Sequence, residues 1–522
     1  MSRLFILLII LSCSRSDGQV PPQIEWQRCY GGTDDDIGYA ISTTTDGGFI
    51  FAGCAGSING DIPPKTEEVL HGGKCDYWTA HVNHKGDILF KRLLDGTESD
   101  VARKALELPD GNFLIAGSTA SNDIDVDCNH GDFDVWIIKL DAAGNVLWKK
   151  CYGGPGYEDF GSLVLTADGG FAFCAGTTSN SGQVSGNFGS SDFWVVKADS
   201  AGNIQWAKCF GGSGYEKAFS LTATSDGGLA ICGFTSSQDG QVIGNHSSDF
   251  DGWVVRLDDK GKTKWTRCYG GTLFETLYSI TELKDGSLML TGYASSSDGD
   301  LTGNYGGDDG WLLRIAADGQ ILWSKNIGGT ADESLSKAIQ TADGTIIATG
   351  YSRSSGGDVP ANYGDWDCWL VLTDTAGNLL HSKNFGGLLA DVCYDVAVAA
   401  DGGLALMGYT ASVDTFFDVS GNHGKKDFWL VKLSSLTAVP AFPGKAAVIL
   451  EPNPAHHYVT IRLPTHHGRT QIRLYDLLGR VLIEETTHQS VHLLLLKTLP
   501  SGLYQLSVVQ GTTTYSSMLM KQ

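Results

Sequence analysis

Residues 211–265, GGSGYEKAFSLTATSDGGLAICGFTSSQDGQVIGNHSSDFDGWVVRLDDKGKTKW, decide the fold, because most of the remaining chain consists of copies of them. A Gly pair opens each copy at Gly31, Gly153, Gly211, Gly270, Gly328 and Gly386, and Asp95-Gly96 replaces it in the second copy. The copies lie about 58 residues apart, a period that belongs to propellers and solenoids. Each copy carries a turn Asp followed by Gly: Asp46, Asp110, Asp168, Asp226, Asp285, Asp343 and Asp401. Each also carries Asp-x-Trp, at Asp76, Asp134, Asp192, Asp251, Asp309, Asp367 and Asp427.

Inside the quoted stretch, four short alternating or β-branched runs are separated by Gly-containing turns, which predicts four antiparallel strands at about 217–225, 228–235, 251–258 and 262–268. Four strands per period, repeated radially, make a propeller blade. Helical periodicity is absent. The seventh copy stops after its third strand, Phe428–Leu433, while an unattached strand, Ile24–Tyr30, precedes the first Gly pair and matches Ile204–Phe210. The expected fold class is therefore all-β: a seven-bladed propeller over 19–433, closed by its N-terminal strand so that no linear array is left with exposed edges.

Arg3 followed by the apolar run Leu4–Leu11 reads as a signal peptide over 1–18, too short to span a bilayer. Ile10-Leu11-Ser12-Cys13 offers lipoprotein cleavage as the alternative. No other long apolar segment occurs, so no transmembrane span is expected. The net charge of −22 argues against nucleic acid or anionic lipid as partner. The high content of Gly (68 of 522) and Trp (13) fits a turn-rich β-protein.

Removing Cys13 leaves eleven cysteines, so at least one is unpaired within a monomer. Cys29, Cys151, Cys209 and Cys268 share one repeat position and Cys174 and Cys232 another. Equivalent positions in different blades are too far apart to bond, and these six read as small core residues. Cys54 and Cys75, at the mouth of one hairpin loop, are the expected disulfide.

Recognition is expected on the face that carries the long loops, such as 236–250 and 296–308, since loops of that length are usually functional. Ten residues before each turn Asp stands a carboxylate: Asp36, Asp100, Glu158, Glu216, Glu275, Glu333 and Asp391. Each opens an innermost strand, so the seven either ring the mouth of the channel as a ligand or cation site or accept backbone N–H bonds as latches between blades. The latch is the favoured reading. Loop aromatics Phe188, Tyr305, Tyr363, Trp366 and Phe416 are candidates for stacking on a sugar or peptide, whereas Trp194, Trp253, Tyr293, Tyr351 and Tyr409 read as blade packing. Asp and Asn in the loops, with Asp123, Asp125 and Asp127 the most acidic group, leave calcium as the one candidate cofactor, although the spacing is not that of an EF-hand. The histidines of the repeats look scattered, and no Gly-x-Ser-x-Gly elbow exists.

Ser434–Lys445, with Pro440 and Pro443, reads as the core of a linker over 434–446, and six further strands over 447–522 form a small sandwich. Pro452-Asn453-Pro454, Asp476 with Gly479-Arg480, and Gly502 with Tyr504 lie in motifs that resemble the C-terminal type A sorting domain of the type IX secretion system of Bacteroidetes. That resemblance implies handling by the type IX machinery, export across the outer membrane, and release or surface attachment. The repeats are similar to secreted Bacteroidetes propeller repeats, a family without a common activity. The expectation is a secreted or surface-displayed binding module for glycan or protein. A polysaccharide hydrolase or lyase using the ring carboxylates and a purely structural surface protein are the alternatives.

Overall fold

The structure is a computed structural model that describes residues 22–63, 74–247, 249–413 and 418–435, together with 449–451, 455, 457–462, 470–475, 480–488, 491–497, 499–500, 502–510 and 513–521. The expected signal segment and most of the expected linker lie outside them. The chain is a β-propeller followed by a second all-β unit. Among the described residues the first unit holds seven four-stranded antiparallel sheets, the fourth running Glu216–Ala223, Leu229–Thr235, Asp251–Leu257 and Thr263–Tyr269. In the seventh sheet the outermost strand is Ile24–Tyr30, paired with Asp427–Leu433.

The repeat motif explains how the sheets join. The Trp of every Asp-x-Trp is fully buried; side chains of that size contribute about 1.5–3 kcal/mol each or more when removed from water. The residue between Asp and Trp reaches the Trp of the following sheet: Tyr77 packs on Trp136 and Phe193 on Trp253, both at 4.7 Å between ring centres. Phe428 of the seventh sheet packs on Trp78 of the first, also at 4.7 Å. On the outside, Tyr30, Tyr152 and Tyr269 donate their hydroxyls to the carbonyls of Gly86, Gly202 and Gly319 in the next sheet's turn. The Tyr-Gly-Gly and Asp-x-Trp motifs thus tie sheet to sheet.

At the turns, Asp226 accepts the Thr224 hydroxyl (2.7 Å) and the Gly228 N–H (3.2 Å), while Gly227 takes φ +83°, a region that favours glycine. This is why Asp-Gly recurs there.

The cysteine reading needs correction. Cys54 and Cys75 are bonded, with Cα atoms 5.2 Å apart, but so are Cys128 and Cys151 (5.3 Å) and Cys368 and Cys393 (5.0 Å). Cys151 is therefore no simple core residue. Its partner is in the loop of its own sheet, which folds back onto the outermost strand. Cys29, Cys174, Cys209, Cys232 and Cys268 are buried free thiols.

In the second unit, a three-stranded sheet (Ile449–Glu451, Tyr458–Arg462, Val491–Leu495) and a four-stranded sheet (Thr470–Tyr475, Val481–Thr487, Gly502–Gln510, Thr513–Lys521) enclose one core. Val459, Ile461 and Leu494 meet Ile472, Leu506 and Val508 there. Alternation along each strand sends these residues inward.

Candidate functional site

The seven strand-opening carboxylates are not open to solvent: Asp36, Asp100, Glu158, Glu216, Glu275 and Asp391 are 0% exposed and Glu333 is 1%. Their oxygens are occupied by the chain. Glu216 accepts the Gly212 N–H (2.8 Å), the Thr235 hydroxyl (2.7 Å) and the Ser237 hydroxyl (2.7 Å) and N–H (3.2 Å). The same Gly N–H bond reaches Asp36, Glu158, Glu275, Glu333 and Asp391 at 2.6–2.8 Å. Each of these six fastens the Gly pair and the end of the second strand to the start of the innermost strand, while Asp100, whose copy lacks the Gly pair, holds Thr119 and Ser121; this is how a buried charge is normally satisfied. As ligand-binding groups at an open mouth they fail, because burial and these bonds leave them nothing to offer.

The opening Gly of each pair also separates two acids. A Cβ on Gly211 would lie 2.3 Å from Asp192 Oδ1 and 2.6 Å from Glu216 Oε2. Six Asp-x-Trp carboxylates, Asp134, Asp192, Asp251, Asp309, Asp367 and Asp427, spend one oxygen on a loop N–H, as Asp192 does with Phe188 (2.8 Å). The other oxygen of Asp134, Asp192, Asp251 and Asp427 is buried with no hydrogen-bond donor. Burial, reinforced by the neighbouring acid, pushes Asp192 and Asp367 up to about 7 and Asp309 to about 6. Burial raises Asp36 to about 6 and Asp100 to about 7 against their hydrogen bonds.

The long loops fold outward. Thr266 and Lys91, on outermost strands, donate to the loop carbonyls of Gln241 (2.8 Å) and Asp61 (2.5 Å), and the loop residues Val184, Val242 and Leu301 are buried. These parts of the loops cover the outer edges of the sheets, where unpaired strands invite association, while the loop ends Phe250 and Trp366 pack on Phe234 (4.6 Å) and Tyr351 (4.9 Å). Phe188 and Tyr305 are 53% and 58% exposed, and neither they nor Tyr363 borders the cavity described below; Phe416 lies outside the described residues. Trp366 does not border the cavity either but packs on a residue that does, standing edge-on to Tyr351 at 4.9 Å with Arg353 over its ring at 4.2 Å. In the second sheet's loop Asp123 accepts the Thr97 N–H (2.9 Å) and Asp125 the Asp95 N–H (3.1 Å). Among the described residues no three His, Cys, Asp or Glu converge as a metal site. The histidines are less scattered than they look: His130, His246 and His423 occupy one repeat position, each with Nδ1 2.5–2.6 Å from the buried Asp134, Asp251 or Asp427.

A different set of residues comes together where the innermost strands meet. In every innermost strand the pairing register slips by one residue just after the third position, as between Ala218 and Ser220 or Leu277 and Ser279. The skipped residues are Tyr39, Arg103, Gly161, Phe219, Tyr278, Ser336 and Tyr394. A bulge of this kind re-aims a side chain, and all seven skipped residues line one cavity of about 240 Å³, together with Tyr351 and the Lys217–Asp159 ion pair (2.5 Å). Tyr39 and Tyr394 lie 5.2 Å apart between ring centres, and Phe219 and Tyr278 5.0 Å. Burial pushes the phenols of Tyr39, Tyr278, Tyr351 and Tyr394 up, so they are neutral hydrogen-bonding groups. Arg103 sits over the Tyr39 ring at 5.2 Å, and its Nε is buried without a partner. Tyr351 thus belongs to the cavity, not to blade packing alone. The sequence carried a signal for the seven skipped residues: each stands three residues after a strand-opening carboxylate.

The Gly in the second strand makes room for the bulge. A Cβ on Gly233 or Gly292 would fall 1.9 or 1.7 Å from the carbonyl oxygen of Lys217 or Thr276. In the third sheet the arrangement is exchanged: the bulge residue is Gly161, and Ala175 takes the facing position.

Residues 451–522 match the secretion system C-terminal sorting domain family. This segment marks the chain for export. The type IX secretion system handles it, and the protein is secreted or attached to the outer face of the outer membrane of a Bacteroidetes bacterium. Of the residues that carried the sorting resemblance, Pro452, Asn453, Pro454, Asp476 and Gly479 lie outside the described residues. Arg480 and Gly502 are exposed, and Tyr504 is buried with its hydroxyl on the Pro500 carbonyl (2.7 Å). The regulatory protein FlaEY of Caulobacter vibrioides is 28% identical over 253 residues, 42% of this chain; the chain spans only about a quarter of that relative (26%). Among solved structures, PorZ, a surface component of the type-IX secretion system of Porphyromonas gingivalis, aligns over 94% of this chain and 60% of its own (TM-score 0.40, 12% identity). The Pan2 WD40 domain of Neurospora crassa aligns over 83% and 98% (TM-score 0.42, 10% identity). Among the described residues no helix is long and apolar enough to cross a membrane.

Proposed function

We propose that the chain is an exported glycan-binding module whose seven sheets form one closed ring, with the cavity on the ring axis as the ligand site. One observation carries the reading: each of the seven innermost strands contributes its bulged residue to a single cavity. Half-buried aromatic walls with a few convergent polar groups are the usual makeup of a small-ligand site. The pairing of Ile24–Tyr30 with Asp427–Leu433 and the packing of Phe428 on Trp78 support closure. The burial of the strand-opening carboxylates weighs against a hydrolase or lyase that would need them at a substrate.

The test is capture of the mature chain on a glycan array beside the variant Ser336→Trp, which fills the cavity without removing a charge. Selective capture that Ser336→Trp abolishes supports the reading. Capture of a protein partner instead, capture indifferent to the variant, or no capture at all overturns it.

A further inference from the structure

Resting on that reading, we propose that the axial cavity takes an acidic sugar, a pyranose ring bearing one carboxylate, with Arg103 holding the carboxylate and the tyrosines holding the ring. Charge is the first argument. In a chain of net charge −22, the cavity carries Arg103, Lys217 and Asp159. Lys217 is committed to Asp159 at 2.5 Å, while the guanidinium of Arg103 has a buried Nε with no partner. A buried N–H left unmade costs about 1–3 kcal/mol, so this group is poised for an acceptor. The guanidinium fork matches a carboxylate with two parallel bonds, and one uncommitted cation matches a monoanion better than a phosphate dianion.

Size and lining supply the rest. A cavity of about 150 Å³ holds benzene, so 240 Å³ accommodates one substituted six-membered ring. The neutral phenols of Tyr39, Tyr278, Tyr351 and Tyr394 both donate and accept, as the several hydroxyls of a sugar require, and their rings with Phe219 offer apolar faces to its C–H surface. A flat aromatic acid would leave most of those hydroxyls unpaired.

The experiment is calorimetric titration of the mature chain with glucuronate, galacturonate and N-acetylneuraminate, with their methyl esters, and with benzoate. At least one free acid should bind at least tenfold tighter than its ester and than benzoate. Arg103→Gln should bring that acid down to the level of its ester, and Arg103→Lys should restore part of the difference. Ser336→Trp, which leaves Arg103 in place, should abolish binding of acid and ester alike, a readout that holds even if Arg103→Gln misfolds. Equal binding of acid and ester, tighter binding of benzoate, or binding of none of the three acids overturns the proposal. The glycan reading itself survives such a failure if array capture of a neutral glycan is lost in Ser336→Trp, and falls if it is not.

Discussion

Glu216→Ala separates a structural latch from a ligand site. Glu216 is fully buried and receives four donors, from Gly212 N–H, the Thr235 hydroxyl and the Ser237 N–H and hydroxyl. Truncation leaves the two hydroxyls free to turn; the Ser237 N–H already lies 3.0 Å from Thr235 Oγ1. The Gly212 N–H and part of the Ser237 bonding are then orphaned at about 1–3 kcal/mol per group, and the removed volume adds a cavity cost. Relief of repulsion on Asp192, whose acid is pushed up partly by Glu216, offsets some of this. The expected loss is about 3–5 kcal/mol, in the range reserved for broken buried networks. Glu216→Gln keeps the volume and relieves the same repulsion but turns an NH₂ toward donors on one side, so its expected cost is smaller, about 1–2 kcal/mol. Equilibrium urea unfolding of the mature protein measures both. A Glu216→Ala chain within 0.5 kcal/mol of wild type, or a Gln variant worse than the Ala variant, would refute the latch.

The other expectations concern pH, backbone and cysteines. Because burial raises Asp36, Asp100, Asp192, Asp309 and Asp367 from 3.8 to about 6–7, their protonated forms favour the fold. That stability is fully present below about pH 4 and is lost as pH rises through 6–7, so the melting temperature should be higher at pH 5 than at pH 8; a flat or rising profile contradicts the paired-acid geometry. Gly292→Ala, with a Cβ 1.7 Å from the Thr276 carbonyl oxygen, should cost more than about 4 kcal/mol or prevent folding, whereas Gly176→Ala, whose nearest contact is 3.6 Å, should be nearly silent in the same melt. Removing the Cys368–Cys393 bridge, which ties the third strand of the sixth sheet to the innermost strand of the seventh, should cost about 2–4 kcal/mol in urea unfolding. The thiols of Cys174 and Cys209, pushed up to about 12 by burial, should react with a thiol reagent only after unfolding.

The propeller was legible because its repeat is written in residues with fixed mechanical jobs. Asp-Gly supplies a turn, Asp-x-Trp supplies a core side chain and a contact to the next sheet, and the unmatched strand at Ile24–Tyr30 has one vacant place to go. The sorting segment was legible because its motifs are specific. The candidate cavity was not, because the bulge that points Tyr39, Phe219 or Tyr278 inward breaks the period-2 alternation from which strand faces are read. Tyr351 passed for packing for the same reason: strand position alone does not say which residues surround an axis. The course of the loops was not legible either, because length speaks for exposure but not for direction, and the buried anchors Val184, Val242 and Leu301 turn their middle parts onto the outer strands. The Cys128–Cys151 bridge was not legible because Cys151 shares its repeat position with the free thiols Cys29, Cys209 and Cys268, and only the fold of its own sheet's loop brings Cys128 to it.

Hydroxyl-radical footprinting of the mature chain, free and with a glycan captured from the array, tests the central claim most directly. The account predicts ligand-dependent protection of Tyr39, Tyr278, Tyr351 and Tyr394 with no change at Phe188 or Tyr305. Protection confined to those loop aromatics, or to the turns on the opposite face, would contradict it.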